Sequence, residues 1–245
     1  MYTLDQIQNF KGKYPKQLWS LFFSEMWERF SFYGMRGMLY VFMTNQLFMK
    51  DTDANLQYGA TQAWVYAFTF IGGLFADKIF GFRKSLFWGG LLMIVGSVIL
   101  AVNPQELFFI GVSFTIVGTG FFKPNISSMV GKLYADNDNR RDAGFSLFYA
   151  GVNLGALIGG YICIAVANGS IWTSFVPEKL RWNFAFGFAS IVMIISLLTF
   201  IKTQKSLGDI GLSPLLNMDV SKRKYLEIGT YIGSILILPC TLRLP

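Results

Sequence analysis

Six apolar runs, at about 17–45, 56–79, 85–103, 107–131, 143–168 and 183–203, follow one another with short polar breaks. Roughly 20 apolar residues cross a bilayer as a helix, so each run is long enough to span one. Composition agrees, since 53% of the residues are hydrophobic and only 14% charged, against about 25% charged in soluble domains. The chain reads as an all-α membrane protein. A cytoplasmic amino-terminal arm covers 1–16, a six-helix transmembrane bundle 17–203, a cytoplasmic linker 204–224 and an incomplete seventh span 225–245. The linker is marked by Gly208, Asp209, Gly211, Ser213, Pro214 and Asn217, which break helical periodicity ahead of Lys222-Arg223-Lys224. Six spans followed by the start of a seventh predict the amino-terminal half of a carrier with two six-helix halves, each made of inverted three-helix repeats.

Charges inside the first run set the function. Glu25, Glu28 and Arg29 lie in the middle of an apolar helix, where a single charge facing lipid costs about 2.5–3.5 kcal/mol on insertion scales. They are therefore expected to face a cavity. At 3.6 residues per turn, Glu25, Arg29, Phe32 and Arg36 form one stripe, with Glu28 and Tyr33 on its flanks.

The Lys and Arg distribution orients the chain. With the amino terminus inside, the cytoplasmic segments hold Lys11, Lys13, Lys16, Lys78, Arg83, Lys84, Lys132, Arg140, Arg141, Lys202, Lys205 and Lys222 to Lys224. The outer loops hold only Lys50, Lys179 and Arg181, as the positive-inside rule requires. The net charge of +7 is thus topological and implies no nucleic-acid partner. The first run is too long and too charged for a cleavable signal peptide.

Histidine is absent and the cysteines are Cys163 and Cys240, both in apolar runs. Ser-His or Cys-His hydrolysis and His-based zinc ligation are excluded within these residues, and no metal or disulfide framework is expected. No enzyme is indicated, and any proton chemistry must run through carboxylates.

Counting 1.5 Å per residue from the span ends puts Glu25 and Glu28 about 12–17 Å deep, Lys123 about 12 Å and Asn153 about 15 Å. Polar groups on three helices then share one layer, in which Lys123 and Arg29 are expected to compete for the two carboxylates. Pro124 directly follows Lys123 and interrupts the helix ladder there. Tyr33, Tyr66 and Arg36 add phenols and a guanidinium fork toward the outer half. On the fifth run, Gly151, Gly155 and Gly159 make a small face that lets a neighbouring helix approach closely.

Glu25-x-x-Glu28-Arg29-Phe30-x-x-Tyr33-Gly34 resembles the signature of the proton-dependent oligopeptide transporter family, within the major facilitator superfamily. Gly72-Gly73-x-x-x-Asp77-Lys78 with Gly81 and Arg83 is similar to its loop between spans two and three. Phe121-Phe122-Lys123-Pro124-Asn125 resembles its span-four motif, and Arg141 to Phe145 through Asn153-Leu154-Gly155 its span-five motif. Phe32 departs from the family, standing where a first Tyr is common. Absence of the second six-helix half is the larger departure, so the chain resembles a truncated or partial product.

The resemblance implies proton-coupled symport of di- and tripeptides by alternating access, in a bacterial inner membrane. By it, Glu25, Glu28, Arg29 and Lys123 serve proton coupling, while Tyr33, Arg36, Tyr66, Lys123 and Asn153 line the peptide site. Asp77 is implied as a conformational latch docking onto the other half. Protons are the coupling ion, with no other cofactor, and the partners are small peptides, the lipid bilayer and the missing half. Two alternatives stand beside this reading: the same fold carrying nitrate or another small anion, and a non-transporting membrane fragment.

Overall fold

A computed structural model describes residues 2–242, with side chains through Cys240. It is helical, with no strand among the described residues. After a short helix α1 (Leu4–Gln8), six long helices follow: α2 (Lys16–Asn45), α3 (Asp51–Phe75), α4 (Gly81–Val102), α5 (Phe108–Lys132), α6 (Arg141–Ala167) and α7 (Arg181–Thr203). They fall on the six expected runs. Helix α8 (Val220–Leu236) and a short α9 (Leu238–Leu242) complete the described chain. The expected seventh span extends to 245, and residues 243–245 lie outside the described residues.

Hydropathy separates these helices into two kinds. The runs Asp51–Val102, Arg141–Ala167 and Glu178–Leu207 are long and apolar enough to cross a membrane by length and composition. Helices α2 and α5 fall outside that group, and they carry Glu25, Glu28, Arg29 and Lys123. They can carry these groups because both are wrapped by neighbours. Helix α2 packs on α6 and α7, α5 packs on α3 and α4, and α4 closes against α7. Exchanging α2, α3 and α4 with α5, α6 and α7 reproduces this pattern of neighbours, as expected of two three-helix repeats.

Close approach at the seams depends on glycine. A Cβ at Gly155 or Gly159 of α6 would collide with the backbone of α2, at the carbonyl oxygens of Met26 and Phe30. The expected small face therefore does pack, and its neighbour is α2. Between α3 and α4 a π turn, Ala76–Phe80, leads into Gly81, whose φ of 73° is a conformation that L side chains rarely adopt. A side chain there would also strike the backbone of Leu212.

The linker is pinned down. The Arg83 guanidinium donates through Nε to the Ile210 carbonyl oxygen at 2.6 Å and through Nη2 to that of Gly208. Ser213 Oγ donates to the Ile79 carbonyl oxygen at 2.6 Å. Helix α8 begins at Val220, inside the stretch read as linker, and lies along α3, α4 and the π turn. Its ties are the Lys84–Glu227 ion pair at 2.6 Å, the Trp88 indole N–H donating to Ser234 Oγ at 2.9 Å, and Tyr231 stacked on Phe80.

Candidate functional site

Helix α2 builds the centre of the site within a single turn. Arg29 Nε lies 3.0 Å from Glu25 Oε1, one turn below, and also pairs with Glu28 Oε2 on its other side. Glu25 is 3% exposed, Glu28 0% and Arg29 1%. These groups do not line an open cavity, as their charge led one to expect; they are enclosed by the bundle. Enclosure is tolerated because Arg29 faces two carboxylates at once, and removing one partner of a buried pair leaves an uncompensated charge. The Phe32 ring caps the guanidinium, with Cζ 5.3 Å from the ring centre. Glu25 Oε2, Glu28 Oε1 and Arg29 Nη2 have no hydrogen-bond partner among the described residues.

Two turns further along α2, Arg36 is half-buried and reaches a neighbouring helix. Its Nε donates to the Tyr58 hydroxyl of α3 at 3.0 Å, and its Cζ lies 5.7 Å from the Tyr33 ring centre and 5.9 Å from that of Tyr58. Tyr58 was not among the residues singled out from sequence. A signal existed: Tyr58 precedes Tyr66 by eight residues, slightly more than two helical turns, which puts both on neighbouring parts of one face.

Lys123, on α5, is half-buried and within electrostatic reach of Glu25, Glu28, Arg29 and Arg36. It forms no ion pair with either carboxylate among the described residues. The expected competition with Arg29 is settled in favour of Arg29, which shares the helix with both acids. Lys123 Nζ instead lies 5.5 Å from the ring centre of the exposed Tyr66. Pro124 leaves α5 continuous, and Ser128 Oγ donates to its carbonyl oxygen at 3.0 Å. Next to it, buried Asn125 binds Ser85 Oγ at 2.8 Å and ties α5 to α4.

Two expected members stand apart from this group. Asn153 is exposed, half a turn round α6 from the glycines that face α2, and makes no hydrogen bond among the described residues. Depth alone put it beside the acids; helix rotation turns it outward. Asp77 is exposed in the π turn, on the rim of a cavity of about 1050 Å³ that Lys132, Arg141 and the Asp209–Leu212 segment also line.

Six membrane-length helices in this packing, with Glu25, Glu28 and Arg29 buried on α2 and Lys123 half-buried on α5, define the bundle of a major-facilitator-type transporter. The chain belongs to the POT family, whose sequence profile matches residues 83–223. It is 37% identical over 91% of its length to the uncharacterized transporter YclF of Bacillus subtilis (strain 168). To the peptide transporter YePEPT of Yersinia enterocolitica subsp. palearctica serotype O:3 (strain YE-P4) it is 34% identical, again over 91% of its length. It spans 44% of each of those proteins. Among solved structures it is similar to a POT family transporter in complex with 5-aminolevulinic acid (TM-score 0.78, 34% identity). A POT family transporter in complex with a thioalcohol-conjugated peptide is also similar (TM-score 0.77, 34% identity). In both, 97% of this chain superposes on 49% of the other.

Proposed function

We propose that this chain is the amino-terminal half of a proton-coupled symporter for di- and tripeptides, working by alternating access with its amino terminus in the cytoplasm. The observation that carries the reading is the enclosed Glu25–Arg29–Glu28 cluster, set two turns from a guanidinium held half-open between Tyr33 and Tyr58. Such a cluster couples a proton to a cation. Protonating Glu25 or Glu28 removes one of the charges that hold Arg29, and the altered field is felt by Lys123, which lies within reach of both acids and of Arg36.

Arg36 has one nitrogen committed to Tyr58, and its two Nη atoms remain for a peptide carboxylate, which they suit as a fork. Tyr66 and Lys123 offer a second polar contact, and Asn153 becomes a ligand group once the other half faces α6. Asp77 serves as the latch at the rim of the neighbouring cavity. The excess of Lys and Arg at the end of the bundle holding the arm and the linker supports the cytoplasmic assignment. No cofactor beyond the proton enters this scheme. Similarity to a peptide transporter and to a relative crystallised with a peptide conjugate supports the substrate class.

The test uses the full-length protein in vesicles, comparing Glu28→Gln with the parent. Dipeptide uptake driven by a pH gradient falls by about tenfold or more, while peptide counterflow, which needs no net proton movement, persists. Gradient-driven uptake equal to that of the parent defeats the role given to Glu28.

A further inference from the structure

Where the first and last bundle helices meet, beside the arm, the structure holds a second basic site that the transport scheme does not use. A cavity of about 510 Å³ opens between the start of α2 and the end of α7. Lys16, Lys202 and Lys205 line it together with Gln17, Ser20 and Ser206. Its lining contains three ammonium groups and no carboxylate. None of the three lysines is ion-paired among the described residues. Like charges gathered round one cavity repel one another unless an anion sits among them.

The walls of the site are fixed. Gln17 Nε2 donates across the seam to the Ser206 carbonyl oxygen at 3.2 Å. Deeper along the same seam, Ser24 Oγ donates to the Ser196 carbonyl oxygen at 3.1 Å and Ser196 Oγ to that of Ser24 at 2.6 Å, closing the cavity toward the core. The amino end of α2 has no side-chain cap at Pro15, so its free amides add partial positive charge. The carboxyl end of α7 opposes this, and Lys202 and Lys205 sit there to offset it.

What lies beside the cavity identifies the ligand. Exposed Trp19 and Phe23 continue the Lys16 face of α2 toward the membrane interior, and exposed Leu198, Ile195 and Ile191 continue the Lys202 face of α7 at intervals of four, three and four. Two apolar stripes thus run from a basic pocket at the end of the spans. Free phosphate would use the pocket alone; a phospholipid uses the pocket and both stripes. We propose that the α2–α7 seam binds the phosphate headgroup of an anionic phospholipid through Lys16, Lys202 and Lys205, with its acyl chains laid along these stripes.

Native mass spectrometry of the full-length protein, titrated separately with phosphatidylglycerol, phosphatidylcholine and inorganic phosphate, tests the assignment. Phosphatidylglycerol is expected to be retained in preference to phosphatidylcholine, and inorganic phosphate neither to be retained nor to displace the lipid. Each of Lys16→Gln, Lys202→Gln and Lys205→Gln is expected to weaken retention by about fivefold. Lys11→Gln, Lys13→Gln and Lys222→Gln, each a control of equal charge loss, are expected to leave it unchanged, as are arginines at the three pocket positions. Equal retention of the two lipids overturns the site, as does equal loss in the pocket and control variants. Displacement of the lipid by inorganic phosphate overturns the lipid and leaves a free-anion site. If the glutamine variants lose folded yield, the parent decides, because retention that does not fall with added salt overturns the electrostatic basis.

Discussion

At the scale of single residues, Arg29 matters most because, among the described residues, it is the one cation paired with both buried acids. Replacing it alone with methionine leaves Glu25 and Glu28 in the core without their counter-charge, a loss of about 3–5 kcal/mol by analogy with broken buried ion pairs. Replacing all three together, as Glu25→Gln, Glu28→Gln and Arg29→Met, removes the charges and restores most of the stability. Thermal melting of the purified protein measures both, and a triple variant no more stable than Arg29→Met contradicts the account. This cluster was legible in sequence because all three side chains come from one turn, where spacing alone fixes contact. The Arg36–Tyr58 bond was not, since it joins α2 to α3 and no local pattern reports the rotation of one helix against another.

Elements are held by two devices, one tight and one electrostatic. At the α2–α6 seam, Gly155→Ala drives a methyl into the Met26 carbonyl and destabilises by about 1–3 kcal/mol. Gly160→Ala, next to the stripe but with nothing within 4 Å of its new methyl, leaves the melting midpoint unchanged or raises it slightly. Equal effects of the two would show that the seam has room to relax. The arm is held differently. Arg140 Nη1 donates to the carbonyl oxygens of Phe10 and Gly12, each at 3.0 Å, while Asp138 accepts from the same guanidinium. Those hydrogen bonds hold the Asp138 carboxyl below its usual value of 3.8. A carboxylate with a depressed value lends its stability above the unfolded value and gives it up only as pH falls through the depressed one. Docking of the arm is therefore constant from about pH 5 to 8, read as protease access to residues 9–14. Arg140→Ala raises that access at every pH, and a rise in the parent between pH 8 and 5 would rule out this anchor.

For the whole molecule, apolar run length was enough to place six helices, because crossing a bilayer leaves little freedom in span length or direction. What run length could not convey was which face of each helix turns inward. Asn153 shares a depth with the acids yet points away from α2, and the linker, rich in turn-forming residues, is fastened by Arg83. The same packing decides how the bundle moves. Helix α2 is gripped by α6 and α7, α5 by α3 and α4, and α4 by α7, so each of the six helices is packed along another and none is left free to act as a hinge. On the function proposed above, motion during transport is expected to fall between this bundle and the other half, as rigid-body rocking. Spin labels at Phe48→Cys and Phe175→Cys, two exposed positions outside the six helices, with the exposed Cys240 replaced by serine, would show one unchanged distance with or without peptide and at neutral or acid pH. Reagents directed at Tyr66, Tyr149 and Tyr161, the exposed tyrosines of α3 and α6, would meanwhile change their rate of reaction as the facing half approaches and withdraws. A shift of more than about 5 Å between the two labels would mean that the seams themselves open, and the rigid-bundle picture would fail.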